Sequence, residues 1–241
     1  MPGALSVRRQ HPCRRRFVRK TPGSAQRRAI GVRLRASYAL RRWGVNKILS
    51  RRFEEALVYA NRLHARQARN GTAIPYVSHL LAVSSLVLEA GGDEDEAIAA
   101  LLHDGPEDQG GRATLEEIRR LFGGPVAEIV AECSDTFESR KPPWQQRKEA
   151  YLRHLPGASR SARLVSCADK LHNARAILAD YRTYGDLLWD RFNAGCDDIL
   201  WYYGELARIF SAHGPSHLAR ELVLVVDQLH AEVVAHGSAS G

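Results

Sequence analysis

The run Ala97-Ile-Ala-Ala-Leu-Leu-His-Asp-Gly-Pro-Glu-Asp108 constrains this chain more than any other stretch. It opens as an unbroken small and apolar segment, which at helical period is buried on most of its sides. With no polar transition it then delivers His103 and Asp104, followed by Glu107 and Asp108. Buried charges are costly unless they are paired or bound to a metal. On a continuing helix, residue 103 stacks over 107 and 104 over 108, the spacing at which side chains meet. An imidazole beside a carboxylate at a protected helix end suits a divalent metal ion, and a second acidic pair there can orient or deprotonate a water. The competing reading is a solvated acidic helix end whose histidine merely packs.

The formal charge of +8 invites nucleic acid, but its distribution does not. Residues 1–52 carry 16 of the 35 basic residues and none of the 27 acidic ones, so the rest carries 19 against 27, a net of −8. The basicity belongs to an arm and the body is acidic. The expected organisation is a largely disordered basic arm over 1–52, a globular body over 53–212, a packing helix over 213–236 and a disordered tail over 237–241. An Arg-rich leader without acid also has the composition of an organelle transit peptide. Nucleic-acid binding through the arm is its weaker reading. No run approaches the roughly 20 apolar residues of a membrane span. Cys13, Cys133, Cys167 and Cys196 lie far apart with no C-x-x-C, which points to a reducing cytoplasm and away from thiolate metal sites.

Along the body, Phe53, Ala56, Leu57, Ala60 and Leu63 predict a first helix, and Pro75 sets up a second over 76–90. There His79 shares a face with Val83 and Leu86, where a lone histidine is more often core than ligand. Thr114-x-x-Glu117 reads as a capping box opening a helix to Phe122. Further helices are expected over 126–137, 144–155, 160–178, 187–210 and 218–234, and a short one over 38–49. In the 160–178 helix, Asp169 is embedded among Val165, Cys167, Ala168 and Leu171, the wrong company for a solvated carboxylate. Asn173 follows one turn on, flanked by His172 and Arg175; an ion pair inside a bundle is the plain alternative. Arg140-Lys141 forms a basic linker, and Tyr202 or Tyr203 can stack a base, although aromatics there read first as core. No segment reads as a strand, a glycine-rich phosphate loop or a repeat, so the expected class is all-α.

The order His79, His103-Asp104, Asp169 resembles the H…HD…D metal signature of the HD superfamily of phosphohydrolases. Five ordered blocks carry a closer resemblance over residues 53–180. They are His64-x-x-Gln67-x-Arg69, Pro75-Tyr76-Val77-Ser78-His79, Ala100-Leu101-Leu102-His103-Asp104-x-x-Glu107-Asp108, Phe122-Gly123, and Ala168-Asp169-Lys170-Leu171-x-Asn173-x-Arg175. These are similar to the hydrolase domain of RelA/SpoT-type alarmone enzymes and their small single-domain relatives.

That resemblance implies an HD-domain helical bundle over 53–212 and a nucleotide substrate, guanosine 3′,5′-bis(diphosphate), from which the 3′-pyrophosphate is removed by a metal-activated water. It implies Mn2+ or another divalent ion on His79, His103, Asp104 and Asp169, a donor set of nitrogen and oxygen that fits such an ion. Glu107 and Asp108 would then manage the water's proton, and Arg69, Lys170, Asn173 and Arg175 would bind the substrate. The alternatives are an HD phosphohydrolase or phosphodiesterase acting on another nucleotide or phosphoester, and a non-catalytic nucleotide-binding module. The sequence departs from the family pattern in having Asn70 where a lysine usually follows the arginine. It also has Gly105-Pro106 between the two acidic pairs; proline removes a helix hydrogen bond and glycine loosens the turn, which leaves open whether Glu107-Asp108 sits one turn above His103-Asp104.

Overall fold

The structure is a computed structural model that describes residues 49–137, 141–213 and 217–239. The arm therefore lies outside the described residues up to residue 48, as does nearly all of the short helix expected over 38–49. The described residues are helical and contain no strand, only an isolated antiparallel bridge between Ala68 and Pro75. None of their helices is long and apolar enough to cross a membrane.

Helix α1, Arg51–Leu63, starts where the Ser50 side chain accepts from the Arg52 amide at 3.1 Å, two residues before the body was expected to begin. After the hairpin-like turn around the Ala68–Pro75 bridge comes α2, Val77–Glu89. Helix α3, Glu94–Leu102, is fixed at its start by a reciprocal capping box: Asp93 accepts from the Glu96 amide at 2.9 Å, and Glu96 accepts from the Asp93 amide at 2.8 Å. Everything in α3 from Glu96 to Leu102 is buried, as the small and apolar run requires. Each fully buried leucine there contributes about 1.5–3 kcal/mol.

A single helical turn, α4 (Gly105–Asp108), leads to α5 (Gly111–Phe122) and α6 (Gly124–Cys133). The capping box expected at Thr114 does not form. Helix α5 starts three residues earlier, and the buried Thr114 hydroxyl donates to the Gln109 carbonyl at 2.8 Å instead. Helix α7 (Trp144–His154) and a short 3-10 turn precede α8, Arg160–Tyr184, the axis of the bundle. It packs against α2, α3 and α6, and against the last two helices, α9 (Cys196–Ala212) and α10 (His217–Ala239). The one long helix expected over 187–210 is two elements: a 3-10 segment, Gly185–Arg191, turns away after the glycine at the end of α8, and α9 begins only at Cys196. The last helix runs on to Ala239, through the glycine and serine that read as tail, with Ser238 Oγ donating to the Val234 carbonyl at 2.9 Å.

Candidate metal centre

Three helices deliver the central side chains. His79 stands in the first turn of α2, His103 caps the C-terminal end of α3, and Asp169 lies midway along α8. All three are buried, and one donor atom from each lies within 4.8 Å of the others. The Nε2 of His79 is 3.3 Å from Asp169 Oδ1 and 3.4 Å from Asp104 Oδ2. The Nε2 of His103 is 3.1 Å from Asp104 Oδ2 and 3.7 Å from Asp169 Oδ1. Neither Nε2 has a hydrogen-bond partner although both are buried. Two unpartnered imidazole nitrogens facing two carboxylates form a donor set that fits a divalent cation.

The second ring nitrogens show why those atoms are free. His103 Nδ1 lies 2.9 Å from the Ala100 carbonyl, so it carries the proton and leaves Nε2 with its lone pair. His79 Nδ1 lies 2.8 Å from His172 Nδ1. Burial, with His79 and Arg69 adding to it, pulls the His172 pKa down to about 4, so His172 is neutral near pH 7 and can accept. His79 then donates from Nδ1 and presents a bare Nε2. His172 is thus a partner of the site, which the sequence marked only as a flanking residue.

The carboxylates are held as firmly. Tyr76 Oη donates to Asp104 Oδ2 at 2.6 Å. Asn173 Nδ2 donates to Asp169 Oδ1 at 2.5 Å, and Lys170 Nζ donates to Asp169 Oδ2 at 2.7 Å. Burial opposes ionisation of Asp169, yet Lys170 and the two histidines hold its pKa well below the usual carboxylate range. Burial likewise opposes charge on Asp104 and on His103, but each overcomes it for the other: the aspartate is held low and the imidazole well above its ordinary value. A metal binding at these atoms competes with that proton.

Glu107 and Asp108 are not displaced by Gly105-Pro106. His103 (φ −58°, ψ −35°) and Asp104 (φ −88°, ψ −7°) keep helical backbone through the junction, and the Asp108 amide donates to the Asp104 carbonyl at 3.0 Å. Pro106 sits in the first turn of α4, where no intrahelical amide bond is due. Gly105 is closely packed: a Cβ there would lie 3.0 Å from Leu63 Cδ2 on α1, so that side chain would have to give way. The two carboxylates share Lys141 of the basic linker, whose Nζ is 2.9 Å from Glu107 Oε1 and 3.3 Å from Asp108 Oδ1. Burial opposes charge on Lys141, but Glu107 and Asp108 raise its pKa.

A cleft of about 620 Å3 lies beside this cluster, with Arg69, Lys148, Lys170, Asp108, Trp144 and Tyr202 in its wall. Arg69 Nη2 donates to Asn173 Oδ1 at 2.6 Å, which links the cleft to Asp169 through one amide. Asn70 turns aside and donates to the Arg191 carbonyl at 2.7 Å. Arg175, in contrast with the expectation, is not brought to the site. Two residues beyond Asn173, it lies on another face of α8, exposed and ion-paired to Glu221 of α10.

The family model described as HD domain matches residues 56–186. A guanosine-3′,5′-bis(diphosphate) 3′-pyrophosphohydrolase MESH1 of Xenopus tropicalis is 40% identical over 126 residues, 51% of this chain and 68% of the relative. The bifunctional (p)ppGpp synthase/hydrolase SpoT of Escherichia coli is 30% identical over 178 residues, 71% of this chain and 23% of that protein. A solved structure described as a metazoan ortholog of SpoT that hydrolyses ppGpp and plays a role in starvation responses superposes with a TM-score of 0.63. It is 28% identical, and the match covers 75% of this chain and 97% of that one.

Proposed function

Because the chain belongs to the HD-domain family, we propose that it is a metal-dependent phosphohydrolase that removes the 3′-pyrophosphate of guanosine 3′,5′-bis(diphosphate). The observation that carries this reading is the pair of buried, unpartnered Nε2 atoms of His79 and His103 facing Asp104 and Asp169. These four residues would hold the ion, for which Mn2+ is our assignment. Such an ion supplies Lewis acidity and lowers the pKa of water at neutral pH.

The chain's own residues do the rest. Release of intact pyrophosphate requires that the broken bond be the one between O3′ and phosphorus, with water's oxygen ending on the phosphorus and a proton on O3′. Glu107 and Asp108, one turn beyond the ligand pair, accept the proton of the attacking water. Arg69 and Lys170 face the cleft and offset charge on the phosphoryl oxygens. Asn173, pinned between Arg69 and Asp169, places the nucleoside relative to the ligands. Arg175 takes no part in this assignment, because its side chain is committed to Glu221.

Incubating the protein with Mn2+ and guanosine 3′,5′-bis(diphosphate) yields guanosine diphosphate and pyrophosphate, and chelation stops it. Turnover of other nucleotides with this one untouched overturns the substrate assignment, and metal binding without any turnover overturns the enzyme. We assign the basic arm no catalytic part, so removal of residues 1–48 leaves the rate unchanged.

A further inference from the structure

Gln67 occupies an unusual place. It lies in the turn after α1, in the wall of the cleft beside the ligand cluster, and its amide is bonded on both ends. Its Nε2 donates to Asp108 Oδ2 at 2.8 Å, and its Oε1 faces His64 Nδ1 at 2.7 Å and accepts from Gln109 Nε2 at 2.6 Å. A carboxylate only accepts, so the amide nitrogen must be the end toward Asp108, and the oxygen must receive the other two donors. His64 therefore carries its proton on Nδ1. Its Nε2 is buried without a partner. The imidazole is held in turn by stacking on Tyr76, ring centres 5.1 Å apart and planes 17° from parallel. The same Tyr76 donates its hydroxyl to Asp104.

We propose that Gln67 is the positioning residue of Asp108 and that His64 sets the direction in which the Gln67 amide points. The proposal rests on the reading of Asp108 as part of the proton-handling pair. Through the His64–Tyr76 stack, the aspartate that takes the water's proton and the aspartate that faces the ion are referred to one aromatic pair. Asp108 alone could not be held in this way. Its side chain is 24% exposed, it ends a four-residue helix, and its other oxygen meets only the long, flexible Lys141 at 3.3 Å. Misplacement of a reacting group by about 1 Å can cost on the order of 100-fold in rate, which is the scale on which such a bond acts.

The test uses the full chain loaded with Mn2+ and the guanosine substrate. Gln67→Leu is expected to lower kcat about 10- to 100-fold with KM and Mn2+ affinity little changed. The charged and titratable groups facing Asp108 are Glu107 on its own turn, Lys141 from the linker and Tyr76 from the segment before α2. Gln67→Glu adds a like charge to that set, and should move the acidic limb of the kcat profile upward by about one pH unit, since a neighbouring carboxylate disfavours ionisation. His64→Leu should behave as Gln67→Leu does, whereas His64→Asn should recover most of the rate, because its Nδ2 stands where the imidazole Nδ1 did. Equal loss in both His64 variants with matching drops in melting temperature would reduce the effect to packing and overturn the proposal, as would wild-type kcat in Gln67→Leu. Nitrogen chemical shifts of His64 report its tautomer without turnover: absence of the Nδ1–H form sinks the inference by itself. An inactive wild type with that tautomer present sinks only the substrate reading.

Discussion

His103-Asp104 and Glu107-Asp108 are separated by two residues, carry similar chemistry, and are built in opposite ways. The first pair follows a helix that is buried from Glu96 to its end, and its partners are fixed groups: the Ala100 carbonyl, the Tyr76 hydroxyl and Asp169. The second pair ends a single turn at the edge of the cleft, and apart from the Asp135 amide, which donates to Glu107 Oε2 at 3.3 Å, its partners are the long side chains of Lys141, Gln67 and Arg147. Under the proposed reaction, the difference separates two demands. A cation site must be dry and rigid, because its ligands repel one another without the ion. Groups that exchange protons with a water and make room for a product must be reachable and re-formable.

Removing a ligand should break the comparison hardest. Asp169→Ala loses metal and turnover together and leaves the half-buried Lys170 without that partner, which lowers stability. Metal content and thermal melts check both, and a metal-replete variant would remove Asp169 from the ligand set. Glu107→Gln tests the outer pair: metal content stays and kcat falls about 100- to 10,000-fold. Full activity would take the proton-handling role away from it.

Proton–metal competition sharpens the contrast next. The raised pKa of His103 means that, without metal, its contribution to stability is complete below its ordinary value of about 6.5 and is lost as pH climbs through the folded value. Asp104 and Asp169 are depressed, so their contributions hold above the ordinary carboxylate value of about 3.9 and fade only as pH falls through the folded ones. Mn2+ should therefore raise the melting temperature more at pH 8.5 than at pH 6.5, and a pH-independent rise would place the ion elsewhere. Pro106→Val should cost about 0.4–1 kcal/mol through the freer unfolded chain and leave kcat unchanged. A faster variant would mean that the proline strains the outer pair after all. Arg175→Ala should do least: about 0–1 kcal/mol from an exposed pair, with KM unchanged.

Much of this was legible beforehand for definite reasons. Asp169 among small apolar neighbours, and His103-Asp104 at the end of an uncharged run, stood out because sequence records which residues share a helix face. The break within the 187–210 segment was not legible, because helical period says little about where a chain leaves one axis for another. Arg175 was misplaced because a motif records order and not rotation about the helix. His172, Tyr76 and Gln67 gave weak signals, since a hydrogen-bond partner of a ligand need only be near it in space.

By itself, then, the sequence determined the all-helical class, the opposite charges of the arm and the body, and the residue types of a nitrogen–oxygen metal site. Tertiary packing alone decided that His79 and His103 turn their Nε2 atoms inward, that Pro106 leaves the turn intact because the junction stays helical, and that Lys141 rather than Arg175 meets the acidic machinery. The reason is physical: local pattern sets which face of an element is buried, whereas the partner across that face comes from chain far away, and only the packed core brings it within bonding distance.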